Sequence, residues 1–171
     1  MPKHPADQVV WRLGAIRIDP DMDHPELYCL ILEGAKDRPL LCDGRILFFT
    51  ELDRAEELIA KYGSDLPYDW KDLEKPFFHC DIAEALHALT EEQVDQNASI
   101  LDAVNFLLDL VECSPVPMPA SYKEILFKTA DHCTFSKDMK ALFEQSPFAP
   151  MDVVNAMLWC IGAIVVSATI V

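Results

Sequence analysis

The feature that most constrains the fold of this chain is the uncharged segment from Val153 to Val171. A helix that is apolar on every side has to be covered by protein or by lipid. The segment is just long enough to span a bilayer, but Asn155, Gly162 and Ser167 interrupt its apolar character. The nearest cation is Lys140, whereas a membrane anchor is expected to have cations beside its span. We therefore expect this segment to be buried in the protein core rather than in a membrane.

The same segment is compatible with two internal structures. It can form one continuous helix, or Gly162 can end a helix that begins at Asp152. In the second case the β-branched residues between 164 and 171 favour a strand. Both structures place the segment in the core, and we expect Leu158 to be buried there.

The charge of the chain limits the partners that it can bind. Its 171 residues include 29 acidic and 14 basic side chains, which gives a formal net charge of −15. Nucleic acids and anionic membrane surfaces both require clustered cations, so we expect the chain to bind neither. An acidic surface favours a basic protein partner, and it also favours solubility.

The order of strand and helix patterns predicts an α+β fold in a single domain of residues 1–171. A chain of this length with 51% hydrophobic residues can bury a substantial core. We predict a small N-terminal antiparallel meander with a packed helix, followed by a helical C-terminal half. The predicted parts are a strand-rich part at 1–63, a loop at 64–80 and a helical part at 81–171.

Short-range signals predict the position of several elements. Apolar runs at 9–18 and 26–33 are rich in residues that favour strands, and Asp43-Gly44 predicts the turn of a hairpin. A helix over 51–62 is expected to end at Gly63. The side chains expected to cap helices are those of Thr50, Asp81, Ser121 and Ser136.

The six cysteines predict free thiols in a reducing compartment. None of them belongs to a C-x-x-C pair, and several lie inside apolar runs, where a free cysteine packs as a small hydrophobic residue. The N-terminal residues include no apolar signal region. We therefore expect a cytoplasmic protein with reduced cysteines.

Familiar catalytic and cofactor motifs do not occur in the sequence. The five glycines form neither a dinucleotide-binding nor a phosphate-binding loop, so we expect no cofactor. The best candidates for metal ligands are two His-Cys pairs, His79-Cys80 and His132-Cys133. Together they can supply four nitrogen and sulfur ligands to zinc, if the fold brings them together. Each cysteine also fits an apolar face of a helix or strand, and this structural role is the commoner one.

A polar stripe runs along a helix predicted over 98–112. Asp102, Asn105, Asp109 and Glu112 recur at helical spacing, opposite an apolar face. The carboxylates of such a stripe can serve a metal or an acid–base site. A solvated helix face is the more frequent explanation of this pattern, and it is the one that we prefer.

The most acidic part of the chain is the segment 51–102, which has fourteen acidic and four basic residues. Within it, aromatic residues alternate with aspartates in an aromatic–acidic segment that contains Asp65, Tyr68, Asp69, Trp70 and Asp72. Aromatic residues among acids are typical of an interface that faces a basic partner. For Trp70 we prefer the alternative, that its side chain folds back over the core as a lid, since large aromatic side chains are usually buried.

Two classes of function follow from these features. The first is a non-enzymatic acidic interaction protein, such as an inhibitor, an immunity-type protein or an adaptor, that binds a basic protein partner. The second is a small metal- or cysteine-dependent enzyme that uses the two His-Cys pairs. The charge, the aromatic–acidic segment and the missing motifs favour the first class.

The Trp70 side chain provides a direct test of the aromatic–acidic segment. If it anchors a basic partner, Trp70→Ala raises the dissociation rate by an amount equivalent to at least ~2 kcal/mol. Charge reversal of Asp65, Asp69 and Asp72 mainly lowers the association rate, because these charges steer the partner. Surface plasmon resonance with a captured partner measures both rates. A sharp fall in Tm with an unchanged dissociation rate would instead show that Trp70 is a lid.

Overall fold

In the computed structural model, the described part of the chain comprises residues 10–34, 37–63, 73–91, 97–136 and 138–171. Seven strands within these ranges form one mixed sheet, and helices pack on both of its faces. The strands are β1 (Val10–Arg17), β2 (Leu27–Glu33), β3 (Arg38–Pro39), β4 (Leu41–Cys42), β5 (Arg45–Phe49), β6 (Phe78–Asp81) and β7 (Ala168–Ile170). The helices are α1 (Ala55–Tyr62), α2 (Ile82–Thr90), α3 (Asn97–Val111), α4 (Ala120–Phe135), α5 (Met139–Gln145) and α6 (Pro150–Val166). The α+β class predicted from the sequence is confirmed.

The N-terminal strands form the antiparallel centre of the sheet. β1 pairs with β2 over nearly its whole length, beginning with Val10 opposite Glu33. β2 in turn pairs with β5, which follows β4 in a tight hairpin. The predicted hairpin turn is confirmed, because Asp43 and Gly44 both have the positive φ, at 51° and 77°, that a two-residue turn of this kind requires.

Two further strands extend this centre in parallel. β6 lies beside β1, and β7 lies beside β5 on the side away from β2. Successive amides of β5 point to opposite edges of this strand. The Ile46 N–H donates towards the β7 edge, to Ser167 O at 2.9 Å. The next amide, that of Leu47, donates in the opposite direction, to Leu40 O. β6 begins inside the segment 64–80 that we predicted to be a loop, so the meander is part of a larger mixed sheet.

Alternate residues of each strand point to opposite faces of the sheet, and each face has its own core. On one face, α1 packs near the strand residues Trp11, Leu13, Leu30, Leu47 and Phe49. On the other face, the remaining helices pack near Ile16, Cys29, Ile31, Phe48 and Cys80. The sheet is therefore the middle of three layers.

The predicted helix caps agree with the structure in part. Asp81 caps α2 as predicted, since its carboxylate accepts a hydrogen bond from an amide of the first turn at 2.8 Å. α4 begins directly after Pro119, whose extended ψ of 136° already suits a cap, so the cap predicted at Ser121 is wrong. α5 is capped by Asp138 rather than by Ser136, because the aspartate lies directly before the first turn.

The first helix also begins later than predicted. A short 3-10 turn at Leu52–Arg54 precedes α1, and the residue that caps α1 is Arg54, without a side-chain hydrogen bond. The cap predicted at Thr50 is therefore wrong. Gly63 ends the helix as predicted, but its φ of −75° is not left-handed, and the residue instead packs closely against Ile59.

The C-terminal segment is a helix followed by a strand. α6 continues through Gly162 to Val166, and β7 begins after one further residue. The inner face of α6 includes Met157 and Cys160, both 0% exposed. The outer face is exposed, and Leu158 is 50% exposed, so the prediction that it is a core residue is wrong. In the described ranges no single helix is long and apolar enough to cross a membrane, although α5 and α6, with a bend of 100° between them, meet those criteria as a pair.

Two neighbouring residues of α6 give a matched test of this orientation. Met157→Ala removes a fully buried side chain, and we expect it to lower the free energy of unfolding by about 2–5 kcal/mol. Leu158→Ala removes a half-exposed side chain of similar size, so we expect a loss of ~1 kcal/mol or less. Urea denaturation at low protein concentration measures both losses. Losses of the same size would contradict the orientation of the helix.

Candidate binding site

A cleft of about 370 Å³ opens between α3 and the strands β2, β3 and β6. Its walls bring together two patterns that are far apart in the sequence, the His79-Cys80 pair and the polar stripe of α3. Three of the four stripe residues line it, namely Asp102, Asn105 and Asp109. This cleft is therefore the candidate functional site of the described chain.

α3 presents its polar stripe to the cleft because its opposite face is fixed in the core. Ile100 and Leu107 on that face are each 1% exposed. Asp102, Asn105 and Asp109 are separated by three and four residues, so they lie on one side of the helix. The carboxylates are thus held by a rigid element beside the sheet, rather than by a loop.

The floor of the cleft is aromatic. The rings of Phe78 and Phe106 lie with their centroids 5.7 Å apart and their planes tilted by 55°. Gly14 in β1 leaves room for the Phe78 ring, because a Cβ atom on this residue would collide with it. Ile31 and Leu110 add to the apolar surface. The floor can therefore hold the apolar part of a ligand.

The rim of the cleft is acidic. Asp37, Asp102 and Asp109 contribute carboxylates, and the lining found among the described residues includes no lysine or arginine. Partial burial raises the pKa of Asp102, because loss of water disfavours its charged form. A cation in the cleft offsets that cost, so the rim suits a positively charged ligand.

Cys80 contributes a protonated thiol to the cleft. The residue is 2% exposed. Burial is the largest cause that raises the pKa of its thiol, and the nearby Cys29, Asp102 and Asp81 raise it further. At neutral pH the sulfur therefore keeps its proton, whereas an attacking nucleophile has to be a thiolate.

The second His-Cys pair lies in a different part of the fold. Cys133 is in α4, with its Sγ 3.2 Å from the Sδ of Met139 in the helical core. Nε2 of His132 lies 2.7 Å from the carbonyl oxygen of Asp138. Across the described ranges, no group of three or more His, Cys, Asp or Glu side chains is arranged to hold a metal ion. The described residues thus do not combine the two pairs into a zinc site.

The predicted binding residues of the aromatic–acidic segment lie outside the residues that the structure describes; they are Asp65, Tyr68, Asp69, Trp70 and Asp72. The described chain resumes at Leu73, which is 7% exposed and belongs to the core between α1 and the sheet. The binding role of the aromatic–acidic segment stays a prediction.

The sequence interpretation missed several residues of the cleft. Asp37 lies between β2 and β3, and Phe78 lies in a strand that the sequence pattern did not reveal. Phe106 continues the apolar positions of α3, and nothing in that pattern signals a cleft beside it. Glu112, the fourth residue of the predicted stripe, follows the end of α3 and lines a separate hollow.

The burial of the thiols predicts the order in which they react with an alkylating reagent. Cys113 is half-buried, whereas the other cysteines are buried, so we expect it to react first. Burial raises the pKa of Cys29 to about 12 and that of Cys133 and Cys160 to about 11, so few of these thiols are ionised at neutral pH. Mass spectrometry after timed iodoacetamide treatment identifies the modified residues. Rapid modification of Cys80 would contradict its burial in the cleft.

Comparison with known proteins finds no significant match, so a function has to be inferred from the cleft and the charge. The chain matches no protein-family model, and neither the curated proteins nor the solved structures include one with significant similarity to it.

Proposed function

We propose that this chain is a non-enzymatic acidic interaction protein, of the inhibitor, immunity-type or adaptor class, whose cleft receives a cationic side chain of a basic protein partner. The observation that carries this proposal is the combination of three rim carboxylates, Asp37, Asp102 and Asp109, with an aromatic floor. Together they match a side chain that is apolar along its stem and positively charged at its head.

Arginine and lysine side chains have this construction. The stem of such a side chain fits on Phe78, Phe106 and Leu110, and its head reaches the carboxylates of the rim. Hydrogen bonds that involve a charged group contribute about 1.5–3 kcal/mol each. Bonds of this kind to Asp37 and Asp102 suit an anchor residue at the centre of an interface.

The overall charge supports the same class of partner. The chain has a formal net charge of −15, and its most acidic segment, 51–102, ends at the rim residue Asp102. A field of this sign attracts a basic protein over distances comparable to the Debye length, about 8 Å at physiological ionic strength. We therefore expect association with the partner to slow as salt is added.

The alternative class, a small metal- or cysteine-dependent enzyme, has less support. It requires His79 and Cys80 to act with His132 and Cys133, and these pairs lie in β6 and α4. Burial raises the pKa of the Cys80 thiol, whereas a nucleophilic cysteine needs a lowered pKa.

A reducing, cytoplasmic location is part of the same proposal. None of the six cysteines forms a disulfide, and five of them are buried. The aromatic–acidic segment is a second proposed contact with the partner, and the Trp70 variant tests it separately from the cleft.

Titration with a short, end-capped arginine-rich peptide tests the cleft. We expect amide shifts in two-dimensional NMR spectra to concentrate on β6 and α3, because these elements form its walls. The variant Asp37→Asn/Asp102→Asn is expected to weaken binding at least ~10-fold, since it removes two charge-assisted hydrogen bonds.

The control removes the same number of charges elsewhere, at exposed positions of α1 and α4, in the variant Glu56→Gln/Asp131→Asn. We expect this control to bind the peptide almost as well as the wild type. If both variants lose the same affinity, the peptide responds only to net charge, and the cleft is not its binding site.

A further inference from the structure

The outward face of α6 is uncharged and mostly apolar, and the proposed cleft does not use it. Its residues recur at alternating spacings of four and three and are called the α6 stripe: Met151, Asn155, Leu158, Gly162 and Val165. Met151 is 52% exposed, Leu158 50% and Val165 64%. This spacing averages ~3.5 residues, the period of the seam along which one helix packs against another.

The apolar surface continues beyond the α6 stripe. Val166 is 66% exposed and Ile170 in β7 is 59% exposed. Beside them, an apolar groove of about 140 Å³ opens between α6 and the end of the sheet, next to Ile18 and Leu27. Exposed apolar residues grouped in this way are typical of a contact with another molecule.

We infer that the α6 stripe is the interface of an antiparallel homodimer, in which α6 of one copy packs against α6 of a second copy. A two-fold axis beside Leu158 places Met151 of one copy opposite Val165 of the other, and Asn155 close to Gly162. Apart from the helix backbone and the two adjacent residues, no described atom lies within 4 Å of the position that a Gly162 Cβ would occupy. This glycine therefore leaves a space for the Asn155 side chain of the second copy, and the symmetry repeats each contact.

The charges at the two ends of α6 select the antiparallel arrangement. Asp152 lies in the first turn of the helix. The guanidinium of Arg45 lies at the other end, where its Nε donates to the carbonyl oxygen of Ala168 at 3.0 Å. An antiparallel pair brings Asp152 of one copy towards Arg45 of the other, whereas a parallel pair brings like charges together. The macrodipoles of the two helices also run in opposite directions, and this favours the antiparallel pair.

The net charge of the chain favours this particular surface for self-association. With a formal charge of −15, contact through acidic faces brings like charges together and opposes association. The chain has no charged side chain between Val153 and Val171. Two copies therefore meet along the α6 stripe without that repulsion.

Sedimentation equilibrium of the full chain tests self-association, with Leu158→Asp as the disrupting variant. We expect a wild-type dimer, and a dissociation constant at least ~100-fold higher for the variant, because each dimer loses two central contacts and gains two charges beside its axis. The matched control is Phe135→Asp, which adds the same charge at an 83% exposed apolar residue of α4 and leaves the dimer intact. Circular dichroism establishes that both variants are folded. A wild type that is monomeric at its highest soluble concentration overturns the inference.

Engineered disulfides test the orientation of the two helices. Single variants Met151→Cys and Val165→Cys are expected to stay uncross-linked when each is oxidised alone, and to form a disulfide-linked heterodimer when they are mixed. Both variants also contain the six native cysteines, and cross-linking through these residues gives the background level. Cross-linking of each variant with itself shows a parallel pair and overturns the antiparallel arrangement.

A flotation assay with phosphatidylcholine vesicles tests a lipid surface as the other occupant. If the wild type is monomeric and floats with the vesicles, and Leu158→Asp does not float, the α6 stripe binds lipid and the dimer is overturned.

Discussion

The pairing of β7 with β5 is the interaction on which the rest of the structure depends. It is closed by hydrogen bonds at both ends, from the Ile46 N–H to Ser167 O and from the Val171 N–H to Phe48 O. These bonds hold the end of α6 against the sheet. A second connection comes from Ser114 after α3, whose hydroxyl lies 2.8 Å from that of Ser167. Ser167, the residue between α6 and β7, therefore links the ends of both helices to the edge of the sheet.

Those two helices give the helical layer two surfaces of opposite character. α3 turns its carboxylates towards the sheet at β6, and α6 turns an uncharged stripe outwards. Because the two surfaces belong to different helices, the proposed basic partner and the proposed second copy would use separate parts of the protein. The net charge of −15 favours the first of these proposed contacts, and the lack of charged side chains from Val153 to Val171 favours the second.

The elements that could be predicted from the sequence are those that neighbouring residues determine. Asp43-Gly44 specifies its own turn, and Asp81 caps the helix directly after it. The strand β6 has only four residues, and it is a strand because β1 lies beside it, so Phe78 was not recognised as part of the cleft. Leu158 was misplaced for a related reason. A helix that is apolar on every side has no periodic pattern to show which face is buried. Only part of the cleft was therefore recognised in the sequence, namely the stripe on α3 and the His79-Cys80 pair.

The position of Arg45 has a consequence for the synthesis of the protein. The residue begins β5, and its guanidinium binds the carbonyl oxygen of Ala168, 123 residues later in the chain. Until those later residues emerge from the ribosome, the β5 edge that receives β7 is open, and open edges recruit strands from other nascent chains. A charged side chain at the start of such an edge discourages that pairing. We therefore expect Arg45 to lower the tendency of the nascent sheet to aggregate, and in the folded protein its guanidinium holds β7 beside β5.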